Sequence, residues 1–536
     1  MKKFPFPLTL LCLVFAVHGI AQPASESCER WTVLDLPFSA GAAVERPWDV
    51  VFGATLSHEG GQTVTVPGFF NGGTQWIVRF SPSLEGRWTY QTYASVPALA
   101  NRSGEIRVSP NTKADRHGAV HIAKGNPQRF AYEDGTPYFA MSFELDWLFA
   151  LDWDNPAGIP KTRSIVSHLV NSKFNQVVMN VYAFDANWGE RDKIRPEHNF
   201  AQPAVFPYAG TNEAPDYSDL NLEFFRHLDR VMAHLHANEI VAHLMIYVWN
   251  KKVNWAKPYS PDDNRYFDYV VKRYQAYPNL IWDISKEALG YGMNDLNYIT
   301  DRIDRLRRMD GHQRLVTVHD YTYCRRFPDK VDFISMQEWR PNLYNEMLAA
   351  LRLHPNRPIL NIEHGGYERT MHTIFTGAYS DPETCLERNY LCVFAGTYST
   401  YYWQNTSWYE VVYEPSELRP EQQPHFRYYR YLRELFDRYD FNRLEPKQYL
   451  YSPYCLTDNS RVFLYYLPRG TDGLQGMAPT EIRGKTVKVT WFNPLTGEYI
   501  EEKNRSIPNR GGAWTGFPKP DAITGPTTVV ILEVIE

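Results

Sequence analysis

The amino-acid sequence predicts an α/β protein: a (β/α)8 TIM barrel flanked by N-terminal and C-terminal β-sandwich domains. In the middle of the chain, eight short apolar runs alternate with segments of helical periodicity, which is typical of strands joined by helices. Toward both ends the runs are shorter, alternate in polarity and are separated by turn residues. A barrel of roughly 250 residues or more leaves room for one or two further modules in 536 residues.

The first 21 residues have the three regions of a secretory signal peptide. Lys2 and Lys3 precede an apolar run over residues 8–17, and small residues lead up to Ala21. We therefore expect cleavage after Ala21 and a secreted or periplasmic protein. No later stretch approaches the roughly 20 continuous apolar residues of a membrane-spanning helix, so membrane insertion is not expected.

Residues 28–110 are predicted to form the N-terminal β-sandwich. Alternating runs at 48–52, 63–66 and 75–80 are broken by Pro, Gly and Ser, which is typical of short strands joined by turns. The polar segment 111–118 is predicted to be a linker to the next domain.

Residues 118–440 are predicted to form the barrel. Apolar residues from Phe224 to Leu235 recur at helical spacing after Asp219, the predicted N-cap, and the apolar run 240–248 follows at once. This is one helix-and-strand repeat of the barrel. The eight candidate strands end near Ser142, Tyr182, Val248, Ser285, His319, Gln337, Glu363 and Tyr402.

Residues 444–536 return to short alternating runs, at 462–466, 486–492 and 527–534. A turn containing Pro494 and Gly497 separates the last two of these runs. These runs predict a second β-sandwich at the C-terminal end.

Composition excludes several classes of function. The net charge is −5 with a pI near 6.4, so no basic surface for nucleic acid is expected. Five of the six cysteines follow the signal segment, and in a chain this long they are expected to be thiols. No zinc motif is present, because His234 and His236 point to different faces of a helix, and we expect no metal and no cofactor.

Aromatic residues make up 15% of the chain and suit stacking against sugars, although core packing accounts for part of them.

Two of the eight apolar runs, the fourth and the seventh, end on a glutamate: Glu287 and Glu363. The C-terminal ends of barrel strands carry the active site, so both carboxyls are expected to face a substrate. Cleavage of a glycosidic bond needs two carboxyls, one to protonate the leaving oxygen and one to attack or stabilise the anomeric carbon. The alternatives are a structural ion pair for Glu363 and a helix-start position for Glu287.

The middle of the chain resembles the apiosidase-like glycoside hydrolases, which are related to the retaining glycosidases of clan GH-A. The matching segments are residues 137–141, the pair Asp146-Trp147, residues 174–178 and residues 273–287. The N-terminal module is similar to the uncharacterised sandwich that often precedes such barrels, through residues 67–70 and 79–90.

The resemblance implies that Glu287 is the acid/base and Glu363 the nucleophile. Clan members commonly have Asn before the acid, where it contacts the sugar 2-hydroxyl, and this chain has Lys286. Strand alternation predicts that Lys286 points away from Glu287 into a salt bridge; the alternative is that its ammonium binds an anionic sugar.

Substrate contacts are expected from side chains at or just after the strand ends. For the tryptophans the alternative is core packing, for Asp146 it is capping, and for Asp185, which begins the predicted rim insertion 185–217 together with Asn187, it is turn formation. The candidates are Asp146, Trp147, Asp185, Trp249, Lys286, His319, Gln337, Trp339 and Trp403.

The sequence therefore predicts a secreted retaining glycoside hydrolase that cleaves a polysaccharide or oligosaccharide by a two-glutamate mechanism. The alternative, from another class, is a non-catalytic carbohydrate-binding or adhesion protein built on a glycosidase-like barrel. The presence of both carboxyls favours the enzyme.

Overall fold

The structure, a computed structural model, describes residues 24–186, 194–365, 367–368, 381–403, 406–408 and 410–535. The predicted signal peptide and Asn187 lie outside these residues. Within them the chain folds into an N-terminal β-domain, a central parallel barrel and a C-terminal β-domain, which confirms the predicted fold class.

The N-terminal domain is a β-sandwich in which a five-stranded sheet, in the order β1-β8-β7-β3-β4, faces a three-stranded sheet, β2-β6-β5. Trp76 of one sheet and Trp88 of the other are buried in a single core, because alternate residues of each strand point inward. The strands are β1 (Ala24–Glu29), β2 (Leu34–Ser39), β3 (Phe52–His58), β4 (Thr63–Pro67), β5 (Phe69–Gly72), β6 (Gln75–Phe80), β7 (Gly86–Ala94) and β8 (Ser103–Ser109).

A small antiparallel sheet covers the N-terminal end of the barrel. It consists of β9 (Val120–Ile122), β10 (Phe130–Tyr132) and β11 (Pro137–Tyr138). The Phe130 ring contacts Phe333 and Tyr398, which lie where two barrel strands begin. This end of the barrel is therefore closed by side chains, and access is left to the opposite end.

The barrel and its surrounding elements follow in chain order: β12 (Met141–Glu144), α1 (Pro160–Asn171), β13 (Gln176–Asn180), β14 (Tyr208–Gly210), β15 (Pro215–Leu220), α2 (Leu222–Ala237), β16 (Val241–Val248), α3 (Pro261–Tyr274), β17 (Leu280–Lys286), α4 (Leu296–Met309), β18 (Val316–His319), α5 (Tyr321–Arg326), β19 (Ile334–Met336), α6 (Leu343–Leu353), β20 (Ile359–Asn361), β21 (Tyr367–Glu368), α7 (Pro382–Phe394), β22 (Tyr398–Trp403) and α8 (Phe426–Arg438).

Eight parallel strands form the barrel, in the order β18-β17-β16-β13-β12-β22-β20-β19. The remaining gap, between β18 and β19, is bridged by the Asp332 amide, which donates to the Val316 carbonyl (2.8 Å), and by the Thr317 hydroxyl, which donates to the Phe333 carbonyl (2.9 Å). Each strand is buried along its length because helices cover its outer face.

One helix begins later than the sequence predicts. Asp219 lies within β15, where it accepts a hydrogen bond from Trp48 Nε1 of the N-terminal domain (2.7 Å). The N-cap of α2 is Asn221, whose side chain accepts a hydrogen bond from the Phe224 amide (3.2 Å). The predicted cap at Asp219 was wrong because both residues have capping side chains, and the hairpin of β14 and β15 occupies the first of them.

The C-terminal domain is a seven-stranded sheet, β23-β24-β25-β31-β27-β28 with β29 beside β27, and a two-stranded ribbon of β26 and β30. The sheet packs on the barrel through stacking of Tyr466 on Tyr390 of α7 (4.9 Å between ring centroids). The strands are β23 (Glu445–Lys447), β24 (Tyr454–Thr457), β25 (Val462–Leu467), β26 (Gly473–Met477), β27 (Thr486–Phe492), β28 (Tyr499–Glu501), β29 (Arg505–Ser506), β30 (Trp514–Pro518) and β31 (Thr528–Val534).

Among the described residues, no helix has both the length and the apolar character required to cross a bilayer.

Candidate active site

A cavity of about 460 Å³ opens at the C-terminal ends of the barrel strands. Carboxylates, ammonium groups and aromatic rings line it together, which is the mixture expected of a catalytic site rather than of a packing defect. Its walls come from Glu144, Asp146, Ala186, Asn250, Lys251, Lys286, Glu287, Gly290, Tyr291, His319, Asp320, Tyr321, Thr322, Gln337, Trp339, Glu363 and Trp408.

Glu287 is the first residue after β17 and is half-buried in the cavity wall. Its backbone has φ 54°, a left-handed conformation that costs a non-glycine residue energy and is concentrated at functional sites. Two amides hold its carboxylate: Asn250 Nδ2 donates to Oε2 (2.9 Å) and Gln337 Nε2 donates to Oε1 (3.3 Å). The carboxylate is thus directed into the cavity.

Glu363, two residues after β20, is 4% exposed. The Tyr367 hydroxyl donates a hydrogen bond to its Oε1, while Oε2 has no hydrogen-bond partner within the described part of the chain. Burial raises the pKa of Glu363 to about 7; the Lys286 ammonium opposes this rise, the Glu287 charge adds to it, and the Tyr367 hydrogen bond opposes it. The group therefore changes charge near neutral pH.

The two glutamates face each other across a short gap. One carboxylate oxygen of each, and one ring nitrogen of His319, all lie within 4.8 Å of one another. Burial, and then the charges of Lys286 and His243, lower the pKa of His319 well below its usual value, so its ring is neutral. Two carboxylates and a neutral imidazole are also donors that a divalent metal ion accepts.

Four ionisable side chains form the floor of the cavity. Lys286 Nζ lies 2.9 Å from Glu144 Oε1 and 3.5 Å from Asp146 Oδ1. Lys251 Nζ lies 3.1 Å from Asp146 Oδ2. Burial raises the pKa of Asp146, but the two ammonium groups together bring it below its usual value. Burial and the neighbouring Asp146 charge raise the pKa of Glu144 well above its usual value.

Lys286 lines the same cavity as Glu287, so the expectation from strand alternation was wrong. The pairing register of β17 with β18 shifts between Asp283 and Lys286, and the left-handed turn at Glu287 follows. Two consecutive side chains therefore point inward. The Lys286 ammonium is nevertheless engaged in salt bridges, as the prediction from strand alternation also held, and the hypothesis of an anionic substrate loses its unpaired cation.

The structure brings seven of the predicted site residues to the cavity. They are Asp146, Lys286, Glu287, His319, Gln337, Trp339 and Glu363. Of these, Gln337 is exposed and Trp339 is half-buried at the rim, where a ring is accessible to a ligand.

Four predicted substrate contacts do not line the cavity. Trp147 is fully buried, with its indole nitrogen donating to the Trp408 carbonyl, and Trp403 is fully buried against the Phe426 ring. Asp185 is 5% exposed and accepts from Gln202 (2.8 Å), while Trp249 packs beside Tyr247. For the three tryptophans, the core-packing alternative explains their position. A tryptophan that follows a barrel strand does not necessarily face a ligand.

Sequence reasoning missed several side chains of the site. Glu144 ends β12, and Asn250 and Lys251 follow β16 closely, so the rule that strand ends face the site would have found them. Tyr367, whose hydroxyl reaches Glu363, and Trp408, which lines the cavity, gave no such signal, because neither directly follows the end of a predicted strand.

Three clefts elsewhere are larger than this cavity but do not contain the paired glutamates. One of about 820 Å³ lies at the junction of the N-terminal domain with α2, one of about 690 Å³ lies between that domain and α2 and α3, and one of about 1340 Å³ lies beside the β9–β11 sheet. Convergence of titratable groups, rather than size, identifies the candidate active site.

The fold and the paired glutamates define the class of the protein: a barrel of the glycoside hydrolase type. The model of the apiosidase-like catalytic domain matches residues 125–442, and the chain belongs to this family. Residues 27–95 match a domain of unknown function. The family and the fold support a glycosidase. Among curated proteins, none matches this chain.

Solved structures share the fold at low sequence identity. A protein of Bacteroides vulgatus assigned to the glycoside hydrolases is 18% identical, with a TM-score of 0.79 over 95% of this chain and 100% of that one. A glycoside hydrolase family 5 protein of the same species is 15% identical, with a TM-score of 0.56 over 78% of this chain and 93% of that one. A third structure, described as a glycoside hydrolase, is 14% identical with a TM-score of 0.56 over 78% of this chain and 97% of that one.

Proposed function

We propose that this protein is a secreted retaining glycoside hydrolase acting on a polysaccharide or oligosaccharide, with Glu287 as acid/base and Glu363 as nucleophile. The observation that carries the proposal is the approach of one oxygen of each carboxylate to within 4.8 Å of the other. Retaining enzymes hold their carboxyls about 5 to 5.5 Å apart, whereas inverting enzymes need about 6.5 to 9.5 Å to admit a water molecule.

The different exposure of the two glutamates supports this division of roles. The acid/base must meet the leaving group and then an incoming water, so it belongs on the accessible wall, where Glu287 is half-buried. The nucleophile must meet only the anomeric carbon, and Glu363 is buried deeper in the cavity. Neutral His319 and the Tyr367 hydroxyl lie beside Glu363 and orient it.

The reaction follows in two displacements. Glu287 gives its proton to the glycosidic oxygen while the Glu363 carboxylate attacks the anomeric carbon, which forms a glycosyl ester and releases the leaving group. Glu287, now a carboxylate, takes a proton from water, and the resulting hydroxide attacks the same carbon and frees Glu363. The two inversions leave the anomeric configuration unchanged.

The test is a panel of polysaccharides and aryl glycosides incubated with the wild type, Glu363→Gln and Glu287→Gln. Turnover is expected to fall by about three or more orders of magnitude in Glu363→Gln, because the change removes the nucleophile with little change in shape. Proton NMR of the first product should show the anomer of the substrate. An inverted product would contradict the retaining mechanism.

Glu338→Gln is the matched control. Glu338 lies one residue after Gln337 but is paired with Arg340 (2.6 Å) and does not line the cavity. Its turnover should stay within a few-fold of the wild type. If the wild type released no sugar from any substrate yet bound one of them, the result would favour a non-catalytic carbohydrate-binding protein over an enzyme.

Secretion is part of the proposal and has its own test. The signal pattern supports cleavage after Ala21, so protein recovered from the culture medium or the periplasm should begin at Gln22. Recovery of the uncleaved chain from the cytoplasm alone would contradict this.

A further inference from the structure

The ribbon of β26 and β30 presents an aromatic surface on the C-terminal domain. Met477 pairs with Trp514, and Gln475 pairs with Gly516. Directly paired residues of an antiparallel ribbon share a face, so these four residues lie on one side. The alternate residue Phe517 points the other way into the core of the domain. Trp514 is 50% exposed on the outer side.

A second ring extends this surface. Tyr451 is 72% exposed, and its ring centroid lies 5.9 Å from that of Trp514. Its backbone has φ 59°, an unfavourable conformation for a residue with a side chain. The preceding Leu450 accepts a hydrogen bond from the Met477 amide (3.0 Å), which anchors the loop to the ribbon. Exposing both rings gives up the free energy of burying them, and the left-handed backbone at Tyr451 adds a conformational cost.

We propose that Trp514 and Tyr451, with Gln475 beside them, form a non-catalytic binding site for a saccharide chain; this site is called the aromatic platform below. Aromatic faces stack on the apolar face of a sugar ring, and an exposed amide can donate to and accept from its hydroxyls. Gly516 has no side chain, so the surface beside Trp514 is flat enough for a further ring. None of these residues carries a charge, which suits a neutral glycan.

The size of the aromatic platform favours a saccharide over a second copy of the chain. A stable protein interface covers about 800 Å² on each partner. Two partly exposed rings and their immediate neighbours offer much less than that, whereas they match one or two sugar units. The saccharide class rests in part on the proposed function, since a glycosidase of polymers works on ligands long enough to occupy a second site.

The aromatic platform is separate from the catalytic cavity. Along β25, Leu464 and Tyr466 belong to the core shared with the barrel, while Phe463 and Tyr465 belong to the core under the ribbon. The ribbon therefore covers the face of the sheet turned away from the barrel. A glycan held there would keep the enzyme on its polymer without entering the active site.

The test is affinity electrophoresis of the full mature chain carrying Glu363→Gln, in gels containing xylan, xyloglucan, arabinogalactan or mixed-linkage β-glucan. At least one polymer should retard it. Adding Trp514→Ala or Tyr451→Ala should raise the dissociation constant for that polymer by about tenfold, the effect of losing one stacked ring. Tyr93→Ala, which removes an exposed ring of the N-terminal domain, is the control and should change nothing.

Gly516→Leu tests the same surface without removing a ring. A side-chain carbon at Gly516 would meet nothing nearer than Trp514 Cδ1 at 4.0 Å, so the fold tolerates it, yet the leucine would stand on the flat surface. Binding should weaken as in Trp514→Ala. Hydrolysis of an aryl glycoside by the otherwise wild-type enzyme should be unaffected by all these changes, and this assay alone reports on the proposed function.

Unchanged retardation in the Trp514→Ala and Gly516→Leu variants would overturn the aromatic platform, as would the absence of retardation in every gel. Analytical ultracentrifugation tests whether a second copy of the chain binds this surface instead of a saccharide. A dimer present in the Glu363→Gln chain and lost in Trp514→Ala would assign the surface to self-association instead.

Discussion

Glu363 combines deep burial with an ionisable carboxyl, and ionising that carboxyl has a cost for the folded state. An ordinary glutamate titrates near 4.5, whereas burial raises the pKa of Glu363 to about 7. Because the folded-state pKa is the higher one, its favourable contribution to stability is complete below about pH 4.5 and is lost as the pH rises through about 7.

Glu363→Gln should therefore stabilise the protein above neutral pH. The amide is uncharged throughout, so the melting temperature of the variant relative to the wild type should increase from pH 5 to pH 8. Thermal unfolding followed by circular dichroism across this range measures the difference. Glu338→Gln should show no such increase, because its partner Arg340 favours the charged carboxylate. A flat difference for Glu363→Gln would mean that the carboxyl is not titrating in this range.

Lys286 also affects the pKa of the Glu363 carboxyl. Its ammonium lowers the pKa of Glu363 against the effect of burial. If ionised Glu363 is the nucleophile, activity rises as the pH increases through about 7. Lys286→Met should move this acid limb of kcat/KM to higher pH, by about one unit or more. A pH profile with an aryl glycoside measures the shift; a lower kcat with an unmoved limb would mean that Lys286 acts only by holding Glu144 and Asp146.

At the scale of the element, the start of α2 depends on one side chain. Asn221→Ala should speed hydrogen exchange in the first turn of the helix and cost about 1 kcal/mol, since the Phe224 amide loses its acceptor. Exchange measured by mass spectrometry on peptides covering Leu222–Ala237 tests this. Asp219→Ala is the control: it removes the contact with Trp48 and should leave the first turn protected.

The barrel strands could be predicted from sequence because each is an apolar run whose ends are set by burial. The rule that strand ends face the site also predicted that Glu287, Glu363 and His319 line the cavity. It failed at Lys286, because a register shift in β17 changes which side chains point inward and leaves no trace in the hydrophobic pattern. It also failed at Trp403, because a fully buried ring and a ring lining a cavity require the same amino acid.

At the scale of the whole molecule, the N-terminal domain is held to the barrel by buried charges. Arg79 of β6 and Arg273 of α3 both bind Asp229 of α2, with nitrogen-to-oxygen distances of 2.9 and 2.6 Å. Arg79 also pairs with Asp35 of its own domain (2.7 Å). The Asp229 carboxylate is therefore shared by two guanidinium groups that are at most 5% exposed.

Asp229→Ala should loosen this junction more than any surface change. Two buried guanidinium groups would share no carboxylate, and breaking such an arrangement costs about 3 to 5 kcal/mol. Differential scanning calorimetry should show an earlier transition for the N-terminal domain, separated from that of the barrel. Asp35→Ala, whose carboxylate is 40% exposed, should have a smaller effect. A single unshifted transition in Asp229→Ala would show that apolar packing alone joins the domains.

Both flanking domains meet the barrel through the outer sides of its helices: α2 and α3 on one side, α7 on the other. Every residue lining the candidate active-site cavity, in contrast, comes from positions 144–408. Rim loops other than the connection between β13 and α2, whose hairpin contacts Trp48, can thus be exchanged or lengthened without repacking either neighbour. In evolution and in protein engineering alike, the loops that set ligand preference can therefore change while the surrounding scaffold stays the same.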